Sequence, residues 1–268
     1  MRIRRIHTLE GATFLICVGA MKAGTSWLHA HLGRTTGVAA SPLKELHFFN
    51  ARFPVKAIFD PDLLALKRLA FHINRPGDPV ANLRERRAFQ ASVDRVRMIF
   101  DDNAYFEHFA GLATSETRVF ADITPAYTVI GEAGFEAMRT LCAEQGMALK
   151  ILFILRDPVE RLWSHLCFLP QLDPAFDPLR DWKGRLDDPS TMARSDYRGT
   201  IEALERVFPS EDVITLFYED LFERGFRELC ARLGLEPPDM EPNRRFNETE
   251  RKIGLPIEIA EALRVRIE

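Results

Sequence analysis

One stretch constrains this chain more than any other. An apolar run from Thr13 to Val18 (TFLICV) leads into Gly19-Ala20-Met21-Lys22-Ala23-Gly24-Thr25-Ser26, and then into Trp27-Leu28-His29-Ala30-His31-Leu32. A short continuous apolar run with β-branched members reads as a strand buried on both faces of a parallel sheet. The residues from Trp27 onward have a helical pattern, so the order is strand, glycine loop, helix. Parallel strands need crossover connections, so the rest of the chain should alternate strands with helices. It does. Lys150 to Leu155 (KILFIL) is a second such run, followed by Arg156-Asp157-Pro158. Asp157 suits an N-cap and Pro158 a first helical turn, which predicts a helix from about Pro158 to Phe168.

Arg118 to Ala121 and Val213 to Tyr218 are further strand candidates, separated by helical patterns at Glu132 to Glu144 and Gly199 to Phe208. Val38 to Ala40 is a shorter apolar run that fits the same sheet. The expected fold is α/β: a P-loop-like, three-layer domain with a central parallel β-sheet flanked by helices. One domain over residues 1–268 accounts for the length. Residues of about 55–115 read as a helical insertion, with Leu63, Leu64, Leu66 and Leu69, then Phe89, Val93, Val96 and Phe100, at helical spacing. Residues of about 169–194, rich in Pro and Asp, read as a long surface loop of the kind that covers a site.

Charge narrows the partners. Thirty-six Lys plus Arg against 39 Asp plus Glu give a net charge of −3, so no global positive field draws in nucleic acid or an anionic membrane. Any anion site must be local. Cys17, Cys142, Cys167 and Cys230 form no C-x-x-C pair, which points away from a zinc site or a disulfide framework and toward a reducing compartment. His29 and His31 stand two apart on a helix and do not share a face, so no metal pair is expected. No apolar run approaches the ~20 residues of a membrane span. Arg2, Arg4 and Arg5 before Ala12 to Met21 imitate a secretory leader, but Glu10 interrupts it, and a cytoplasmic location is expected.

The glycine loop departs from the triphosphate pattern in one informative place. Gly19 and Gly24 have the G-x-x-x-x-G spacing whose backbone N–H groups hold phosphate oxygens. In the triphosphate version a Lys follows the second Gly, and the next Ser or Thr binds magnesium. Here Thr25 follows Gly24, and the only lysine of the loop, Lys22, lies two residues before it. That argues against an ATP- or GTP-dependent kinase or NTPase using Mg²⁺, which stands as the alternative enzyme class. A catalytically inactive nucleotide-binding module is the non-enzymatic alternative. A cation at Lys22, with Thr25 and Ser26 as donors, suits a 5′-linked leaving group that needs no metal.

At these residues the chain resembles the sulfotransferases that use 3′-phosphoadenosine 5′-phosphosulfate (PAPS), in their glycan and bacterial branch. The stretch from Val18 to Leu32 is similar to their 5′-phosphosulfate loop. Lys44-Glu45-Leu46-His47-Phe48-Phe49 is similar to their K-E-x-x-F-F segment, and Asp122-Ile123-Thr124-Pro125-Ala126-Tyr127 to their T-P-A-Y loop. Arg156 to Ser164 is similar to R-[DN]-P-x-x-R-x-x-S, which binds the 3′-phosphate. Phe217 to Leu221 is a late family-like marker, so the likeness spans about Phe14 to Asp220.

The resemblance implies a hydroxyl-bearing acceptor, small molecule or glycan, and 3′,5′-adenosine diphosphate as the second product, with no metal. It places Lys22, Ala23, Gly24, Thr25, Ser26 and Trp27 at the 5′ end of the donor and Arg156 and Ser164 at its 3′-phosphate. Tyr197 falls near the nucleotide, and Arg251, Lys252 and Gly254 fall in a late basic loop. An Arg fork with a hydroxyl suits a phosphate dianion. Lys22 is expected to stabilise the leaving oxygen. Glu45 aligns with the catalytic carboxylate, and as a base it needs a pKa raised by burial against Phe48 and Phe49. His47 is the competing base, on the same side as Glu45 if the segment is extended. Ile123 stands where the animal glycan enzymes carry a lysine near the acceptor, which lowers support for a highly sulfated glycan.

Overall fold

The computed structural model describes residues 3–56, 59–239 and 253–267. Among them, β1 (Thr13–Gly19), β2 (Val38–Ala40), β3 (Val119–Ile123), β4 (Ala148–Leu155) and β5 (Val213–Phe217) form one sheet in the order β2-β3-β1-β4-β5. Every pairing is parallel. The continuous apolar runs belong to the central strands. Phe14 through Gly19 and all of β3 are buried, whereas the edge strand β5 alternates buried Ile214 and Leu216 with outward Thr215 and Phe217. Strands covered on both faces lose the alternation that an edge keeps.

The helices are α1 (Thr25–Leu32), α2 (Phe48–Arg52), α3 (Pro61–Ile73), α4 (Pro79–Glu85), α5 (Arg87–Arg97), α6 (Asn103–Leu112) and α7 (Gly131–Glu144), followed by α8 (Pro158–Leu166), α9 (Pro178–Leu186), α10 (Pro189–Ala193), α11 (Tyr197–Val207), α12 (Tyr218–Asp220), α13 (Phe226–Arg232) and α14 (Ile257–Ile267). They flank the sheet and enclose a core that runs from Phe14, edge-on to Phe109 at 4.7 Å, to Phe226 and Leu229. A smaller cluster joins Val159, Leu162, Trp163 and Leu166 of α8 to Ile259 and Leu263 of α14. All four cysteines are free. Among the described residues no helix is long and apolar enough to cross a membrane.

Residues 169–194 are not the unstructured loop expected from composition. They contain α9 and α10, each opened by an Asp-Pro pair. Asp177 accepts from the Leu179 N–H at 2.9 Å and Asp188 from the Ser190 N–H at 3.0 Å, with Pro178 and Pro189 in the first turn. Asp157-Pro158 starts α8 in the same way, and Asp60-Pro61 and Asp78-Pro79 start α3 and α4. An Asp accepts from otherwise unpaired N–H groups while Pro has none to lose, so the pair marks a helix start even in a Pro-rich segment. Trp182 and Leu186 then bury themselves in the α8 cluster.

Topology positions the site. From β1 the chain leaves for β2 on one side, while the β3-to-β4 connection crosses over β1 to the other. Opposed departures open a crevice beyond the carboxyl ends of β1 and β4. The glycine loop lies in that crevice, tied to β4 by Ala20 N–H donating to the Ile154 carbonyl at 3.0 Å. Both glycines are needed. Gly24 has φ +77°, and a Cβ there would lie 2.7 Å from Leu221 Cδ2; at Gly19 it would lie 2.3 Å from Thr128 Cγ2. A left-handed alanine alone costs about 1–2 kcal/mol. Gly24→Ala should therefore lower the melting temperature by roughly 2–8 °C and weaken binding at the loop, both readable in one thermal-denaturation series.

Candidate active site

The loop presents Lys22 in a left-handed conformation, φ 67°, ahead of the α1 N-terminus, whose first N–H groups have no partner within the helix. Thr25 is buried and Ser26 half-buried at that turn, and Ala23 is enclosed. The Trp27 ring stacks on His31 at 3.8 Å and meets Phe222 and Phe226 edge-on, so only its backbone can serve a ligand. Lys22 Nζ sits 4.7 Å from the centre of the Phe168 ring. Among the described residues it has no carboxylate partner, and burial, then the charges of Arg156 and Lys44, push its pKa down.

Arg156 is tied to this loop. Its Nη1 donates to the Lys22 carbonyl at 2.8 Å, and its guanidinium lies over the Tyr218 ring at 4.5 Å. Ser164 is half-buried on α8, next to Trp163, whose Nε1 donates to the Ile253 carbonyl at 2.9 Å. That bond brings Gly254, exposed and with open space about it, to the same helix. Arg251 and Lys252 lie outside the described residues. Tyr197 begins α11 and sets its ring edge-on to Phe153 of β4 at 5.6 Å.

The K-E-x-x-F-F segment supplies the opposite side. Glu45 (φ 61°) and His47 (φ 54°) are left-handed too; with Lys22 they are the only non-glycine residues so disposed among those described. The segment is therefore not extended, yet His47 Nε2 still comes within 3.6 Å of Glu45 Oε2. Phe48 and Phe49 do not line Glu45. They point into the core, where Phe48 stacks on Tyr105 at 4.2 Å. Burial raises the Glu45 pKa, but the Lys44 ammonium and the His47 ring outweigh it and hold the carboxyl far below the usual range. The expected rise toward neutrality is thus reversed, because Lys44 closes directly on Glu45 Oε1, with Arg68 Nη2 4.0 Å from Oε2.

His47 is oriented instead. Asn50 Nδ2 donates to the Ala126 carbonyl at 2.8 Å, which turns its Oδ1 toward His47 Nδ1 at 3.0 Å. Oδ1 can only accept, so Nδ1 carries the proton and neutral His47 keeps its lone pair on Nε2. That atom is buried and has no hydrogen-bond partner.

A sequence profile of the sulfotransferase family matches residues 15–239, most of the chain. The chain belongs to the sulfotransferase family. Its fold is like that of a sulfotransferase from Alicyclobacillus acidocaldarius, at 21% identity and a TM-score of 0.63 over 94% of this chain and 90% of that one. The sulfotransferase domain of the Synechococcus PCC 7002 olefin synthase aligns at 16% identity over 98% of both chains, with a TM-score of 0.44. The sulfotransferase domain from the curacin biosynthetic pathway aligns at 16% identity over 96% and 83%, with a TM-score of 0.46. No curated protein sequence matches.

In this sulfotransferase the left-handed Glu45–His47 segment hangs on one buried carboxylate to which the motifs gave no role. Asp122, fully buried at the end of β3, accepts from Thr124 Oγ1 at 2.6 Å, Tyr105 OH at 2.9 Å and Tyr127 OH at 3.0 Å. The same Thr124 and Tyr127 oxygens accept from the N–H groups of Leu46 at 3.0 Å and Phe48 at 3.1 Å. Two relays thus run from backbone N–H to hydroxyl to carboxylate and fix the residues on either side of His47. Asp122, Asn50, Lys44 and Arg68 had no role assigned from sequence; the Asp two residues before T-P was the available signal. Asp122→Ala should cost about 2–4 kcal/mol, since it removes a charged acceptor and strands three buried hydroxyls. Urea denaturation would measure that loss.

Proposed function

We propose that this sulfotransferase moves a sulfuryl group from PAPS to the hydroxyl of an acceptor, with no metal in the chemical step. One observation carries the reading: three residues with left-handed backbones, Lys22, Glu45 and His47, are a cation without a carboxylate partner among the described residues and a carboxylate–imidazole pair, the groups an in-line transfer needs at its two ends. Backbone strain of about 1–3 kcal/mol per residue persists where the surroundings over-determine it, and it gathers at active sites.

PAPS would supply the sulfuryl group and leave as 3′,5′-adenosine diphosphate. The donor set fits a 5′-linked anion, because the Lys22 ammonium, over the Phe168 ring, has no carboxylate partner among the described residues, and its loop leads into the N-terminus of α1 at Thr25. Lys22 holds the leaving phosphate oxygen as the sulfur–oxygen bond on that side breaks; Thr25 and Ser26 border it. Arg156, Ser164, Tyr197, Gly254 and, by the family pattern, Arg251 and Lys252 serve the 3′-phosphate and the base. As the acceptor oxygen bonds to sulfur, its proton passes to His47 Nε2. The adjacent Glu45 carboxylate stabilises the imidazolium that results. Phe59, edge-on to His47 at 5.1 Å, and Phe168 beside Lys22 favour a ring-bearing or apolar acceptor among small molecules and glycans.

Glu45 is held ionised through the neutral range, so its own titration leaves no mark there. With His47 as the base and Glu45 only stabilising the imidazolium, Glu45→Gln should keep more of kcat than His47→Gln. A loss in Glu45→Gln as large as that in His47→Gln would return the base to Glu45. Lys22→Ala and His47→Gln should each lower kcat by at least about a hundredfold, measured as sulfate-ester formation. 3′,5′-Adenosine diphosphate should raise the melting temperature without Mg²⁺, whereas ATP with Mg²⁺ should not; the reverse outcome would support the kinase or NTPase class.

A further inference from the structure

The helical segment α3–α5 reaches the base segment through one buried side chain. Arg95 on α5 is 1% exposed. Its Nε donates to the Leu46 carbonyl, its Nη2 to the Pro61 carbonyl at 3.2 Å and to Asp62 Oδ1 at 2.8 Å. Leu46 lies between the two left-handed residues, Glu45 and His47. Its N–H is already held by Thr124, so Arg95 completes the restraint of that residue from the other side. Arg68 of α3 does the same for the neighbouring carbonyl, donating through Nη1 to Glu45 O at 2.7 Å. Arg95 Nη1, also buried, has no partner; the guanidinium is kept in place although one of its nitrogens goes unsatisfied.

We infer that Arg95 is a positioning residue for the base: by gripping the Leu46 carbonyl it keeps the Glu45–His47 segment left-handed and aims His47 Nε2 at the acceptor. The inference rests on the function proposed above but can be tested apart from it. A left-handed backbone at two non-glycine residues relaxes unless it is held, and relaxation at Leu46 rotates His47 away from Asn50, whose Oδ1 holds the proton on Nδ1. Only a planar fork can reach the Leu46 and Pro61 carbonyls and the Asp62 carboxylate together, so a lysine, with one nitrogen, cannot replace it.

The test compares Arg95→Lys with Asp62→Asn. The second removes the ion pair and its share of stability but leaves the grip on Leu46. Arg95→Lys should lower kcat about ten- to a hundredfold, a common penalty for misplacing a reacting group by about 1 Å, with KM for PAPS and the affinity for 3′,5′-adenosine diphosphate unchanged. Asp62→Asn should keep kcat within about twofold while its melting temperature falls. Side-chain ¹⁵N NMR of His47 supplies a readout free of turnover: one Nδ1–H tautomer in the unmodified protein and in Asp62→Asn, a mixture in Arg95→Lys. Equal losses in the two variants, or a single tautomer and full kcat in Arg95→Lys, would overturn the inference. If the unmodified protein transfers no sulfuryl group at all, the proposed function fails, while the tautomer comparison still decides the role of Arg95.

Discussion

A carboxylate buried without donors is among the costliest groups a fold can hold, and Asp122 is tolerated because Thr124, Tyr105 and Tyr127 all give it a proton to share. Each of those hydroxyls is thereby aimed. With its hydrogen committed to Asp122, the Thr124 oxygen can only accept from Leu46 N–H, and the Tyr127 oxygen from Phe48 N–H. The polarity of the whole network runs one way, and it ends on the backbone that carries Glu45 and His47. The T-P-A-Y loop and the K-E-x-x-F-F segment are 78 residues apart at the Leu46–Thr124 bond, yet they behave as one part.

The second half of the site comes from topology. A sheet that switches direction at its centre leaves the ends of β1 and β4 side by side, so the Lys22 loop and Arg156 share a crevice whatever their side chains are. Arg156 then reaches the Lys22 carbonyl and links the loop to the start of α8. Cation gathers on cation there: burial first, then the charges of Arg156 and Lys44, depress the Lys22 pKa. Lys44 closes on Glu45 and Arg156 Nη2 lies 3.4 Å from Glu160 Oε2, so of the three only Lys22 has no carboxylate partner among the described residues.

Much of the fold was legible because burial leaves a signature in composition. The runs at 13–18 and 150–155 are apolar without alternation because helices cover both faces of the strands they form. Residues 169–194 misled because Pro and Asp are loop formers on average, while Asp-Pro at Asp177 and Asp188 starts a helix; the average hid the position. At the site, Lys22 and Gly24 were readable by their spacing, and Glu45 and His47 by the family resemblance. The direction of the Glu45 shift was not, because it depends on Lys44 closing over the carboxylate and on Phe48 and Phe49 turning inward. Neighbours in sequence say little about which of two faces a side chain takes once the backbone turns left-handed.

By itself the sequence determined the class of sheet, the glycine loop with its displaced lysine, and which ionisable groups were at hand, since these follow from local periodicity, sterics and residue chemistry. Only the tertiary structure decided which of those groups meet. The tautomer of His47 depends on Asn50 and, through it, on a carbonyl 76 residues away, and the charge on Glu45 depends on cations brought in from the loop beside it and from α3. Electrostatic effects fall off over a few ångströms, so they are set by distances that no spacing along the chain encodes.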